Sequence, residues 1–167
     1  MTLEEAIKTA LDYETRVCQI YRKAADSTLD PTGRRIFKML GDDEQHHIKY
    51  LESRLKQWQD TGKITVEKLD STLARINLIA AEAEKLKKPM QQPDRTDEKQ
   101  MLSKALKVEI ETSNFYEKMV GELTDEGRQM FARFLKIEEN HINAVQTELD
   151  YISGSGYWFD FKEFDME

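Results

Sequence analysis

The sequence contains one pattern twice. Aligning "LDYETRVCQIYRK" (11–23) with "LKVEIETSNFYEK" (106–118) pairs Leu11 with Leu106, Glu14 with Glu109, Tyr21 with Tyr116 and Lys23 with Lys118. After a shift of one residue, "GRRIFKMLGDDEQHH" (33–47) falls on "GRQMFARFLKIEENH" (127–141). Gly33, Arg34, Phe37, Glu44 and His47 then meet Gly127, Arg128, Phe131, Glu138 and His141. Apolar residues recur at helical spacing through both copies. The chain therefore reads as a duplicated helical hairpin, which makes the class all-α and the architecture a four-helix bundle built from two repeated hairpins.

Only three prolines and seven glycines punctuate the chain, between long helical patterns. The first helix is expected over 3–25, with Thr2 and Glu5 placed as a capping box. Asp30 as N-cap and Pro31 at the first helical position start the second, which should reach residue 59 before Gly62 closes it. The third is expected over 97–121 and the fourth over 125–152, capped by Thr124 and stopped by "SGSG". The connection 63–96 is far longer than the other two, and its stretch "LDSTLARINLIAAEAEKLKK" can hold another helix. A helix of about thirty residues is about 45 Å long. The segment is long enough to recross such a bundle and make the second and third helices parallel, a ferritin-like crossover. The bundle domain is then 1–153. The remainder, "GSGYWFDFKEFDME" (154–167), is an aromatic-acidic tail with five aromatics too close together to be left wet without cost. It is expected to pack along the bundle, with an exchanged contact in a homodimer as the main alternative.

At 167 residues the chain is long enough for one domain with a real core and too short for two comfortable ones. A formal charge of −7, with no Lys/Arg stripe standing out from mixed-sign helix faces, argues against a nucleic-acid partner. Cys18 is the only cysteine, which excludes an intramolecular disulfide and a Cys-x-x-Cys site, and fits a reducing cytoplasm. No apolar signal core opens the sequence and no apolar run is long enough to span a bilayer. A soluble, unprocessed cytoplasmic protein without membrane contact is expected.

The repeat also picks out the chemistry. Glu-x-x-His puts both side chains on one face of a helix, one turn apart, and the spacing occurs at Glu44/His47 and again at Glu138/His141. The preceding helix of each hairpin adds Glu14 or Glu109, and all four motifs lie near mid-helix, so they should meet at one depth. Four bare carboxylates cannot share a dry core, because desolvation and mutual repulsion would protonate them. Two divalent cations balance four carboxylates, with neutral imidazoles completing two coordination spheres. Carboxylate with imidazole suits iron or manganese, and the absence of thiolate removes the usual structural zinc arrangements. Two iron ions are favoured, with manganese or a mixed pair as the alternatives. Asp43 and His46 form a competing frame, but their counterparts are Ile137 and Asn140, so both read as outside the ligand set. Asp43 has the further option of orienting a metal-bound histidine. Tyr21 and Tyr116 lie seven residues after Glu14 and Glu109, either filling core volume or bonding a ligand carboxylate. Cys18, whose counterpart is Ser113, reads as a small core residue, and Met39, Met119 and Met130 as core filler.

Glu14, Glu44-x-x-His47, Glu109 and Glu138-x-x-His141 on four helices match the ferritin-like di-iron carboxylate pattern. The local phrasing, a Glu followed seven residues later by Tyr-x-Lys and then an Arg- and Phe-containing approach to Glu-x-x-His, resembles the rubrerythrin family. The resemblance covers 3–60 and 97–152. It implies a non-haem di-iron site that reacts with hydrogen peroxide or dioxygen in oxidative-stress defence. The electrons would come from an external donor such as rubredoxin. A homodimer is expected as well. Glu44 and Glu138 are expected to bridge, with Glu14 and His47 on one iron and Glu109 and His141 on the other. Two features depart from the family: no rubredoxin domain is attached, and Thr112, with Val17 as its repeat partner, stands where a further glutamate often sits. The alternatives are ferroxidase-type iron handling and, in another class, a non-enzymatic helical interaction protein whose metals only staple the bundle.

Overall fold

The computed structural model describes residues 1–66, 87–89, 96–154 and 156–159. Four long helices dominate: α1 (Leu3–Ser27), α2 (Pro31–Thr61), α3 (Thr96–Glu122) and α4 (Asp125–Gly154). The capping box at α1 forms as expected, with the Glu5 N–H donating to the Thr2 hydroxyl and the Thr2 N–H to the Glu5 carboxylate. Asp30 accepts from the N–H groups of Thr32 and Gly33, and Pro31 occupies the first position of α2. Gly62 ends α2 at φ 71°, a left-handed conformation that glycine adopts without steric cost. Thr124 takes the cap position of α4 through its backbone, its carbonyl accepting from the Arg128 N–H at 3.2 Å. Asp125 then opens the helix at φ 53°, in the left-handed region where Asp is enriched among non-glycine residues.

Cross-helix contacts fix the directions. Gln59 bonds Glu4 while Arg22 bonds Asp42, so α1 and α2 are antiparallel. Tyr21 bonds Glu109 while Tyr116 bonds Glu14, so α1 and α3 are antiparallel as well. It follows that α2 and α3 run parallel. The chain after α2 leaves beside the start of α1, whereas α3 begins beside the end of α1, where the Thr28 hydroxyl donates to Glu98. The connection therefore has its two ends at opposite ends of the bundle. The helix anticipated within it falls largely outside the described residues, but Lys87 and Lys88, included in that helix, belong instead to a strand. Strand β1 (Lys87–Pro89) pairs antiparallel with β2 (Tyr157–Phe159), Lys87 opposite Phe159 and Pro89 opposite Tyr157.

Two apolar clusters fill the interior. One gathers Tyr21, Ile36, Phe37, Leu40 and Val145 with Trp158 and Phe159 from the tail. The other gathers Ala10, Tyr116, Met119, Met130, Phe131 and Phe134. Met39 packs at the edge of the first, so these methionines are core filler, as read. The described part of the tail thus lies against its own bundle. Trp158 sits directly on Gly33, where an added Cβ would stand 2.8 Å from the indole ring, and meets Phe37 edge-on. The Phe159 N–H donates to the buried Glu148 carboxylate at 2.7 Å. Gly127, the repeat partner of Gly33, is small for another reason: Leu3 packs against it, 3.0 Å from where a Cβ would lie. Among the described residues, no helix is long and apolar enough to cross a membrane.

Candidate metal centre

Each helix of the bundle brings an inward residue to one depth. Glu14 comes from α1, Glu44 and His47 from α2, Glu109 from α3, and Glu138 and His141 from α4; all six are fully buried. Glutamates and histidines seldom occupy such positions without a partner. Glu44, His47, Glu138 and His141 each offer a ligand atom, and these atoms lie within 4.8 Å of one another.

The imidazoles are oriented alike. His47 turns Nδ1 toward Glu44 Oε2 at 3.4 Å and Glu14 Oε2 at 3.6 Å. His141 turns Nδ1 toward Glu44 Oε1 at 2.5 Å and Glu109 Oε1 at 3.5 Å. The two oxygens of Glu44 thus address different histidines, the posture of a bridging carboxylate. The rings stack with centroids 5.1 Å apart. Their Nε2 atoms both look toward Asp43, 2.5 Å from His141 and 3.6 Å from His47.

Each tyrosine reaches across to the other hairpin. Tyr21 donates to Glu109 Oε1 at 2.5 Å, and Tyr116 donates to Glu14 Oε1. Of the two readings left open by the sequence, the phenols bond the carboxylates while still filling the core. That leaves Glu14 Oε2, Glu109 Oε2, both oxygens of Glu44 and of Glu138, and His141 Nδ1 buried without a hydrogen bond. Orphaned acceptors at this density are costly unless a cation or protons lie between them. The donor set, carboxylate oxygen with imidazole nitrogen and no thiolate, fits divalent iron or manganese.

Protons are the other way to hold these charges, and the electrostatics divide the six groups. Burial raises Glu44 well above the carboxylate range, helped by Glu14 and Glu109 and opposed by His141. Burial likewise raises Glu138, with Glu109, Glu14 and Glu44 adding to it. Burial works against Glu14 too, but Glu44, His47 and the Tyr116 phenol hold its carboxyl down at about 2. Glu109 is lowered in the same way, burial being outweighed by His141, Glu138 and Tyr21. Burial disfavours both imidazolium ions, yet Glu14 and Glu44 push His47 up to about 10, while Glu44, Glu109 and Asp43 push His141 well above its usual value. Without metal, burial and repulsion favour protons on Glu44 and Glu138, and the neighbouring carboxylates favour protons on His47 and His141.

The remaining sequence expectations fall around this centre. His46 is exposed on the outer face of α2. Cys18 is buried, its Sγ donating to the Gly41 carbonyl at 3.5 Å, and burial pushes its thiol up. Thr112 is buried but donates to the Val108 carbonyl of its own helix at 2.7 Å, and Val17 packs in the apolar core. Sequence reasoning did not single out Glu148, fully buried two turns beyond His141, where it holds the tail backbone. Its signal was the seven-residue spacing from His141 on one helix face. Compared with family models, with curated proteins and with solved structures, the chain gives no match, and what the centre can do is read from its donor atoms.

Proposed function

We propose that this chain is a rubrerythrin-like, ferritin-fold di-iron protein that reduces hydrogen peroxide, or reacts with dioxygen, using electrons from an external donor. The observation that carries the reading is the set of orphaned carboxylate and imidazole atoms, matched hairpin to hairpin at one buried depth. Glu14 and His47 would hold one ion, Glu109 and His141 the other, with Glu44 and Glu138 between them. Two ferrous ions held there would supply the two electrons that peroxide needs, with two protons, to become two waters. The phenols of Tyr21 and Tyr116 fix the rotamers of Glu109 and Glu14, so both outer carboxylates are oriented before metal arrives. The donor would be a protein such as rubredoxin.

Anaerobic reconstitution tests the centre, and peroxide tests the reaction. The chain should bind about two Fe(II), the number that balances four carboxylates. Glu44→Ala and Glu138→Ala should lower that stoichiometry, and His46→Ala should leave it unchanged. Stoichiometric peroxide should oxidise the ferrous form rapidly, with sustained turnover only when rubredoxin and its reductase are supplied. Oxidation by dioxygen but not peroxide, with ferric iron escaping to a chelator, would establish ferroxidase chemistry instead. If neither oxidant reacts, the metals serve only to staple the bundle.

A further inference from the structure

The repeat gives every proposed ligand a counterpart in the other hairpin, but it gives Asp43 none: the matching residue on α4 is Ile137. Asp43 is almost fully buried, and its carboxylate reaches from α2 across to α4, where Oδ2 stands 2.5 Å from His141 Nε2. The same oxygen is 3.6 Å from His47 Nε2, outside hydrogen-bonding distance, and neither ring nitrogen of His47 has a hydrogen bond. His47 instead has the edge of an aromatic contact with Phe134, ring centroids 5.7 Å apart.

We infer that the two metal positions are inequivalent, and that Asp43 is the positioning residue that makes them so. The inference rests on the di-metal reading above. A carboxylate on the far nitrogen of a ligating imidazole fixes its tautomer, locks the ring and makes the near nitrogen a better donor. Asp43 does this for His141: once the ring is neutral, the carboxylate holds the remaining proton on Nε2 and leaves Nδ1, aimed at the Glu44 and Glu109 oxygens, to the metal. His47 must choose its tautomer and hold its ring without such help. The position served by His141 and Glu109 therefore fills first and holds its ion longer. The position served by His47 and Glu14 fills second and exchanges more readily. α1 and α3 supply the same Glu and Tyr to the two sides, so the difference arises on α2 and α4.

The test is a metal titration of the metal-free protein with Co(II), followed by calorimetry and by the visible ligand-field bands. The wild type should bind two ions in two resolved steps. Asp43→Asn, which keeps the shape and removes the charge, should weaken the tighter step by about tenfold to a hundredfold and leave the weaker step nearly unmoved. His47→Ala should keep the tight step alone, and His141→Ala the weak one alone. Two steps of equal affinity in the wild type would overturn the inference while leaving the di-metal centre standing, as would Asp43→Asn weakening both steps alike. No binding of Co(II) or Fe(II) at all would instead remove the centre itself. Should Asp43→Asn fail to fold, the wild-type steps and the two histidine variants still decide the order of filling.

Discussion

Loading metal into this core should expel about four protons. Metal-free, the groups whose affinity for a proton is raised are Glu44, Glu138, His47 and His141, with His47 at about 10 and the other three pushed well above their usual ranges. Glu14, at about 2, and Glu109 are already ionised. A metal takes its carboxylates ionised and its imidazoles neutral, so each of the four raised groups must lose a proton when two divalent ions enter. Four positive charges arrive and four leave, and the buried charge is unchanged, which is what a water-excluded core demands. The count is measured by titrating metal at about pH 6.5 in buffers of different ionisation enthalpy. The slope of observed heat against buffer enthalpy gives the protons released per chain. A slope near zero would refute the reasoning, because the carboxylates would then be bare and the imidazoles neutral before metal arrives.

Stability should follow the same groups. Glu44, Glu138, His47 and His141 have raised folded values, so the metal-free fold binds more protons than the unfolded chain and loses stability as pH rises from about 4.5 towards 10. Glu14 and Glu109 are lowered, so stability also falls as pH drops from about 4.5 towards 2; urea midpoints across pH should peak on the mildly acidic side. Tyr21→Phe and Tyr116→Phe each remove a buried hydrogen bond to an ionised carboxylate and should cost about 1.5–3 kcal/mol in urea unfolding. Gly33→Ala drives a methyl into the Trp158 ring and should cost about 1–3 kcal/mol by thermal unfolding. In a Trp158→Ala background that penalty should largely vanish.

The buried Glu/His cluster was legible because the repeat filters coincidence: a single Glu-x-x-His means little in a Glu-rich helix, but Glu138/His141 in register with Glu44/His47 singles out the inward face. The same filter hid Asp43, since Ile137 opposite it carries no signal, and its bond to His141 joins residues 98 apart on different helices. Helix ends agreed within two residues because Thr2, Asp30, Pro31 and Gly62 act locally. The strand at Lys87–Pro89 was not legible, as the Lys-rich run favours a helix on its own and extends by pairing with Tyr157–Phe159. The matched Gly33 and Gly127 concealed two different contacts, the distant Trp158 and the nearby Leu3.

The reciprocal bonds, Tyr21 to Glu109 and Tyr116 to Glu14, have the form of an isologous interface, in which residue i meets j and j meets i. That is the signature of a two-fold dimer written into one chain. A single hairpin pairing with its own copy would build a similar carboxylate cluster with its two halves identical by symmetry. Such a dimer can carry two aspartates at the place of Asp43, or two isoleucines, but never one of each. Asp43 opposite Ile137 is a difference that only a single chain holding both hairpins can carry.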